Sequence, residues 1–274
     1  MSSRVAFQGE HGAYSEQALL EHFGKDAQSV PCETFDAVFS AVANGDCDYG
    51  CIPVENSVAG SIHRNYDLLL QFPLVVVGEH TTRVSHCLIG LPGAQLSDIR
   101  KVVSHPQALA QCEHFLRSLK SVQTEPVYDT AGSVKIIQEQ GDPQVAAIAS
   151  HWAAELYQMN ILVETIEDSP ANFTRFQIIA RQPEQAGKDA KTSIVFSLKN
   201  EPGALFRAMS VFALRNIDLS KIESRPMVGK PWEYIFYIDF AGSQDEVNVQ
   251  KALANLEEYT SFLRVLGSYP RFEG

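Results

Sequence analysis

Short apolar runs alternate with helical patterns through the first 180 positions of the chain. The runs predict strands near residues 5–7, 29–32, 49–54, 74–78, 86–90, 101–104, 122–127, 145–148, 162–166 and 176–180. The clearest helix is predicted over 107–119, where Ala108, Leu109, Cys112, Phe115, Leu116 and Leu119 recur three and four positions apart. Thr34 is placed to cap a helix that runs to Ala43 and is stopped by Gly45. Strands alternating with helices imply an α/β sandwich with a largely parallel sheet.

The pattern changes after residue 180. Residues 181–191 are polar, contain Pro183 and Gly187, and read as a linker. Beyond them Ile194, Phe196 and Leu198 alternate with Ser193, Val195 and Ser197, as along a strand. Leu205, Ala208, Met209 and Phe212 mark one helical face, and strands follow near 217–223 and 233–240. Ser243 and Glu246 are spaced as a capping box for a helix bearing Val249, Leu253 and Leu256. A strand near 263–268 completes the order βαββαβ, which is ferredoxin-like.

A length of 274 residues allows one large or two smaller domains. The net charge of −11 argues against nucleic acid or an anionic membrane as partner, since no global positive field is present to neutralise phosphates. No apolar run approaches the roughly 20 residues that span a bilayer. Met1-Ser2-Ser3-Arg4 leads directly into Val5-Ala6-Phe7, which is unlike a signal peptide. The cysteines (Cys32, Cys47, Cys51, Cys87 and Cys112) are odd in number and form no CxxC pair, so reduced thiols and a cytoplasmic location are expected. Cys112 falls on the apolar helical stripe and is expected in the core.

Four strand-end segments collect the polar chemistry. Gln8-Gly9-Glu10-His11-Gly12-Ala13-Tyr14-Ser15 runs from strand through two glycines into a helix, which makes either an ordinary turn or a site for an anion at the helix start. Pro53-Val54-Glu55-Asn56-Ser57 follows a second apolar strand, and there Asn56 and Ser57 either cap a helix or face a ligand. Ser104-His105-Pro106-Gln107 repeats the strand-to-helix arrangement, with Pro106 suited to a first helical turn. Phe173-Thr174-Arg175-Phe176 places a hydroxyl and a guanidinium at a loop-to-strand junction. Arg175 either clamps a carboxylate or points to the opposite face, because neighbouring strand residues alternate. No metal motif, G-x-S-x-G elbow or Walker loop is present, and the GxxG stretch lacks the third glycine of a dinucleotide site. Neither a metal nor a cofactor is expected. In the C-terminal segment, Gly203-Ala204-Leu205-Phe206 and Glu223-Ser224-Arg225-Pro226 are each unremarkable turns or edges alone, and are more specific as a pair.

Taken in order, these motifs resemble the prephenate dehydratase family along nearly the whole chain. The resemblance rests on Phe7-Gln8-Gly9 through Ser15, Pro53-Val54-Glu55-Asn56-Ser57, Gly60-Ser61-Ile62, Ser104-His105-Pro106-Gln107-Ala108-Leu109, Cys112 and Thr174-Arg175-Phe176. The tail resembles the phenylalanine-binding ACT domain, through Gly203-Ala204-Leu205-Phe206 and Glu223-Ser224-Arg225-Pro226. Phe206 departs from the branched residue usual there and is expected to reshape the effector pocket.

The resemblance implies a catalytic domain over 1–181, built as two lobes like a type II periplasmic binding protein, with crossovers near 79–85 and 165–172. A linker over 182–191 and an ACT domain over 192–274 would follow. It also implies that Thr174 is catalytic, and that Gly12, Ala13, Tyr14, Ser15, Asn56, Ser57, Ser104, Gln107, Phe173, Arg175 and Phe176 bind substrate. Phe173 and Phe176 are expected to pack and to position the hydroxyl. The implied reaction converts prephenate to phenylpyruvate, with L-phenylalanine inhibiting through Gly203, Ala204, Leu205, Phe206, Glu223, Ser224, Arg225 and Pro226 in a homo-oligomer, dimeric or tetrameric. Arogenate dehydration is the nearest alternative, and the stretch 60–67 looks like plant arogenate-using relatives. A non-catalytic, phenylalanine-responsive regulator is the alternative from another class.

Overall fold

In the computed structural model, residues 2–227, 229–230 and 232–273 are described. The chain divides into two compact units, one of Met1–Phe72 with His80–Gln177 and the other of Pro73–Glu79 with Ile178–Gly274.

The first lobe contains β1 (Arg4–Gln8), α1 (Tyr14–Phe23), β2 (Gln28–Cys32), α2 (Phe35–Asn44), β3 (Tyr49–Asn56), β4 (Gly60–Ser61), α3 (His63–Gln71) and β5 (Val75–Arg83), of which residues 75–79 fall to the second unit. The second lobe contains β6 (Cys87–Gly90), a short 3-10 turn at Leu96–Asp98, β7 (Lys101–Ser104), α4 (Pro106–Gln111), α5 (Glu113–Ser118), β8 (Gln123–Pro126), α6 (Thr130–Gln140), β9 (Val145–Ala149), α7 (His151–Leu156) and β10 (Asn160–Val163). The chain then returns to the first lobe as β11 (Phe173–Ala180). The first sheet has the order β2-β1-β3-β11-β5 with β4 beside β3, and the second has the order β10-β6-β9-β7-β8. Each lobe is an α/β layer, as expected. The second sheet is mixed, because β6 pairs antiparallel with both β9 and β10. The chain therefore crosses between sheets in the segments 84–86 and 164–172, where Val84 N–H donates to Asn172 C=O at 2.8 Å.

Local chemistry explains why several elements form where they do. Thr34 caps α2 by accepting from Ala37 N–H, and Gly45 ends it at φ 86°. The periodic stretch 107–119 is not one helix. It breaks at Cys112 (φ −118°, ψ 25°), because the Gln111 carbonyl accepts from Asp168 N–H and the Asp168 carboxylate accepts from His114 N–H. Cys112 is nevertheless fully buried, in a core with Leu88, Ile99, Val102, Ala146 and Ile148. The strand expected to reach residue 166 stops at Val163, and Thr165 adopts a positive φ of 55°.

The second unit carries β12 (Ala190–Leu198), α8 (Ala204–Ala213), β13 (Leu219–Pro226), β14 (Tyr234–Ala241), α9 (Val247–Tyr259) and β15 (Thr260–Pro270). Its antiparallel sheet has the order β13-β14-β12-β15, which is the ferredoxin-like arrangement that βαββαβ implied. The helices cover it through Ala208, Val211, Phe212, Val249, Ala252 and Leu256, packed on Ile194, Phe196, Ile238 and Phe240. Ser243 and Glu246 do bond, with Ser243 N–H donating to Glu246 at 2.8 Å, but Glu246 is itself the residue before α9, so the pair closes a turn rather than capping the helix. Lys191, expected in the linker, lies inside β12. Its Nζ meets buried Glu79 at 2.5 Å, and Phe272 N–H donates to the same carboxylate oxygen at 3.1 Å. That pairing allows a lysine to be buried and joins Pro73–Glu79 to this unit.

Among the described residues, no helix is long and apolar enough to cross a membrane, and no cluster of His, Cys, Asp and Glu is arranged to hold a metal.

Candidate active site

A cavity of about 510 Å³ lies between the two lobes of the first unit. Strand ends and helix starts supply its wall. The first lobe contributes Ala13, Tyr14 and Ser15 where α1 begins, Thr34 and Asp36 where α2 begins, and Asn56 at the end of β3. The second contributes His105, Gln107 and Gln111 around α4, and Tyr128, Asp129 and Thr130 where α6 begins. Thr174 and Phe176 project from β11. Four helix starts border the space, but Thr34, His105 and Asp129 already cap those of α2, α4 and α6 with their own side chains, leaving the start of α1 without a side-chain cap. No lining residue is Lys or Arg, whereas Glu33, Asp36 and Asp129 are acidic.

Thr174 is buried and reaches the cavity, and its hydroxyl accepts from Asn56 Nδ2 at 3.0 Å. Asn56 is the organising side chain. Its Oδ1 accepts from Val58 N–H at 3.1 Å and Ala59 N–H at 2.8 Å, and its Nδ2 also donates to Asn172 Oδ1 at 2.8 Å. No helix starts at Ser57: Asn56 closes a turn before β4 instead, so neither Asn56 nor Ser57 caps a helix. Tyr14 donates its hydroxyl to Ser85 C=O at 2.6 Å and stands edge-on to His86, with Oη 3.0 Å from His86 Nδ1. Burial pushes the Tyr14 phenol well above its usual range, and burial pushes the His86 imidazole down against the opposing pull of Gln111 and Glu167. Burial likewise raises Asp129, although Gly132 and Ala131 N–H groups hold its charged form.

The glycine turn performs a different task from the one its sequence suggested. Gly9 N–H donates to Cys32 C=O, Ala13 N–H to Glu10 C=O, and Gly12 N–H to the Glu16 carboxylate at 2.6 Å. Glu16 also bonds Ser29 and His11. Burial opposes its charge, but these bonds prevail and its pKa is lowered. The turn's donors are thus already taken, Gly12 N–H by an internal carboxylate and those of Gly9 and Ala13 by backbone carbonyls. The turn instead seats one lobe on the other. Ser150 Oγ donates to Gly12 C=O at 2.8 Å, Tyr157 Oη donates to His11 C=O at 3.1 Å, and Asp129 Oδ2 lies where a Cβ on Gly9 would be 3.0 Å away. The start of α1 at Tyr14 and Ser15 does border the cavity, with Ala13 supplying no capping side chain.

Ala13, Tyr14, Ser15, Asn56, Gln107, Thr174 and Phe176 are therefore brought together, while five expected residues are not in the wall. Gly12 is spent on the lobe seat. Ser104 is fully buried and donates to Ile148 C=O at 2.6 Å. Ser57 Oγ donates to Ala171 C=O and accepts from Phe173 N–H, fixing the loop behind Thr174. Arg175 alternates to the other face of β11, where it meets Glu55 at 3.5 Å, and Phe173 at the strand's start is 41% exposed. Sequence reasoning missed Gln111, His86, Asn172 and Asp129. Gln111 and His86 lay in segments read for their apolar pattern, and Asp129 before Thr130 carried an N-cap signal that was there to be used.

In the second unit Gly203 (φ 77°) precedes α8, Ala204 is buried, and Leu205 and Phe206 are exposed. Glu223, Ser224, Arg225 and Pro226 end β13, one of the two edge strands of the sheet, with alternate residues more exposed.

A family model described as prephenate dehydratase matches residues 5–184, and one described as ACT domain matches 192–258. The chain is 49% identical over 278 residues to arogenate dehydratase/prephenate dehydratase 2, chloroplastic, of Arabidopsis thaliana, covering 97% of this chain and 72% of that protein. Among solved structures, prephenate dehydratase of Arthrobacter aurescens in complex with L-Phe is similar at 33% identity and a TM-score of 0.88, over 98% of this chain and 90% of that one. A structure described as GqqA, a novel type of quorum quenching acylase, is similar at 34% identity and a TM-score of 0.89, over 98% of both chains.

Proposed function

The chain belongs to the prephenate dehydratase family and carries an ACT domain, and on that premise we propose that the cavity between its lobes converts prephenate to phenylpyruvate by decarboxylative dehydration. The observation that carries this reading is the buried Thr174 hydroxyl at the cavity wall, engaged by Asn56 as acceptor and so left with its own proton to donate. In the reaction the bond from the ring to its carboxylate breaks, the electron pair enters the ring, and the C–OH bond opens as the ring becomes aromatic. Negative charge accumulates on the departing oxygen. A Thr174 hydrogen bond that strengthens as that charge grows stabilises the transition state more than the ground state. The helix start at Tyr14 and Ser15 together with Gln107 suits the carboxylates, and Pro53, Ile62, Ala108 and Phe176 give the apolar wall that favours loss of CO2.

We assign the catalytic domain to 1–181, the linker to 182–189 rather than to 191, because β12 opens at Ala190, and the ACT domain to the remainder through 274. L-Phe is the inhibitor, bound by Gly203, Ala204, Leu205, Phe206, Glu223, Ser224, Arg225 and Pro226 between ACT domains of a homo-oligomer, and it acts by preferring one state of the cleft. Its support is the ACT match and the L-Phe named in the Arthrobacter structure. A cytoplasmic location fits five cysteines of which, among the described residues, none forms a disulfide. L-arogenate is the second substrate reading, favoured by the names of the plant relatives and by the acidic cavity wall, which suits an ammonium group. Acyl hydrolysis by Thr174 is disfavoured, because among the described residues its hydroxyl is bonded by an amide rather than by an imidazole or carboxylate base.

Rates with prephenate and with arogenate, each with and without L-Phe, test the assignment in wild type and in Thr174→Ala. Thr174→Ala is expected to lose activity by about 10²–10³-fold, and Thr174→Ser to retain part of it. A near-wild-type kcat in Thr174→Ala would sink the role given to the hydroxyl.

A further inference from the structure

One feature of the site is fixed by two backbone groups. Val58 and Ala59 N–H can only donate, so the Asn56 atom facing them, at 3.1 and 2.8 Å, must be Oδ1. Asn56 Nδ2 then faces Thr174 and donates to it. The Gln111 atom 3.4 Å from Asn56 Oδ1 must be the donor Nε2, which leaves Gln111 Oε1 toward Asn172 Nδ2 at 3.1 Å and His86 Nε2 at 3.0 Å. A carbonyl oxygen only accepts, so His86 Nε2 must carry a proton. In the neutral ring, Nδ1 is then bare, and the single Tyr14 hydroxyl hydrogen, given to Ser85 C=O at 2.6 Å, is shared with it at 3.0 Å as a three-centre bond. Every bond from His86 to Thr174 consequently runs in one sense, through two amides, and ends on a cavity-lining oxygen that keeps its own hydrogen to donate.

The path also crosses between lobes. Asn56 ends β3 in the first, Gln111 ends α4 in the second, and His86 and Asn172 lie in the two crossing segments. His86 is 2% exposed, and its backbone N–H is held by Glu167 at 2.9 Å. Its position is therefore set independently of the substrate.

Building on the reading of Thr174 as the donor to the leaving hydroxyl, we propose that His86 is a positioning residue. Held as its Nε2–H tautomer, it fixes the Gln111 amide and, through Asn56, the direction in which Thr174 presents its proton, so that the arrangement is complete only while the lobes are closed.

The tautomer can be read directly. Long-range ¹H–¹⁵N correlation spectra of the wild-type protein at neutral pH should show His86 protonated at Nε2 with Nδ1 bare. The opposite tautomer would overturn the proposal whatever the kinetics, because the chain could not run toward Thr174. Kinetically, His86→Leu should lower kcat by about tenfold, the size of one well-placed hydrogen bond, with KM changed little. His86→Gln, whose amide can donate to Gln111, should recover most of the loss. A folded His86→Leu protein with wild-type kcat refutes the proposal, as does a His86→Gln protein no better than the Leu variant. Should His86→Leu fail to fold, the tautomer and His86→Gln still decide. Failure of the Thr174 reading is separate: it shows as activity in Thr174→Ala, which leaves the His86 tautomer untouched.

Discussion

The seat of the glycine turn gives a sharp test of how the lobes are held. Gly12 has φ +94°, and a Cβ there would stand 3.0 Å from both Cα and Cβ of Ala153 and 3.5 Å from Ala131 Cβ. Ala153 sits in α7 and Ala131 in α6, so the obstacle is one helix Cα and two alanine methyls, none of which can swing away as a long side chain could. In Gly12→Ala the left-handed backbone costs about 1–2 kcal/mol, and the overpacking a further 1–3 kcal/mol or so. The two together shift the melting temperature by roughly 5–15 °C for a unit of this size. Relief by parting the lobes would stretch the Gln111–Asn56 bond, already 3.4 Å, and activity should fall along with stability. Thermal melts and steady-state kinetics read the two effects. Gly141→Ala is the control: its φ is +65° with nothing within 4 Å of the new methyl, so it carries the backbone cost alone. If both variants lose the same stability and both keep full activity, the turn does not seat one lobe on the other.

Two further expectations concern buried carboxylates. Glu16 has a lowered pKa in the folded protein, so its bonds stabilise the fold above the ordinary carboxylate range, and that contribution is lost as pH falls through the folded value. Denaturant melts should show Glu16→Gln less stable than wild type at pH 7, with the gap closing in acid. Asp129 is shifted the other way: burial raises it, so the charged form costs stability once the pH rises through the folded value. Asp129→Asn keeps an acceptor for Gly132 N–H and should melt higher than wild type at neutral pH, with the two converging below the carboxylate range; a lower melting point there would show that the buried charge is better compensated than its surroundings suggest.

What could be read from the chain was whatever depended on near neighbours. The cap at Thr34, the stop at Gly45 and the alternation along β12 are local, and they stand as expected. So does the order of elements in the second unit, because periodicity alone distinguishes its helices from its strands. The break at Cys112 was invisible, since Asp168, which takes the Gln111 carbonyl, is more than fifty residues away. Lys191 in a polar run read as linker, and only its pairing with Glu79 explains why it is buried. At the site, strand alternation left Arg175 with two possible faces, and Glu55 accounts for the one it takes. Ser57 and Ser104 have the right chemistry for a ligand, but their hydroxyls are committed to Ala171 and Ile148 carbonyls. Sequence marks which groups are able to bind; which of them are already taken is a property of the fold.

The absence of Lys and Arg from the cavity wall bears on how fast substrate arrives. A protein of net charge −11 repels a dianion at long range, and a mouth bordered by Glu33 and Asp36 does not reverse that. Helix ends act only over short distances. Capture should therefore be slowest in dilute buffer and should quicken as added salt shortens the roughly 10 Å reach of the repulsion at 0.1 M. That is the opposite of the salt dependence of an enzyme that draws its anion in with arginines: here kcat/KM should climb with ionic strength while kcat stays level.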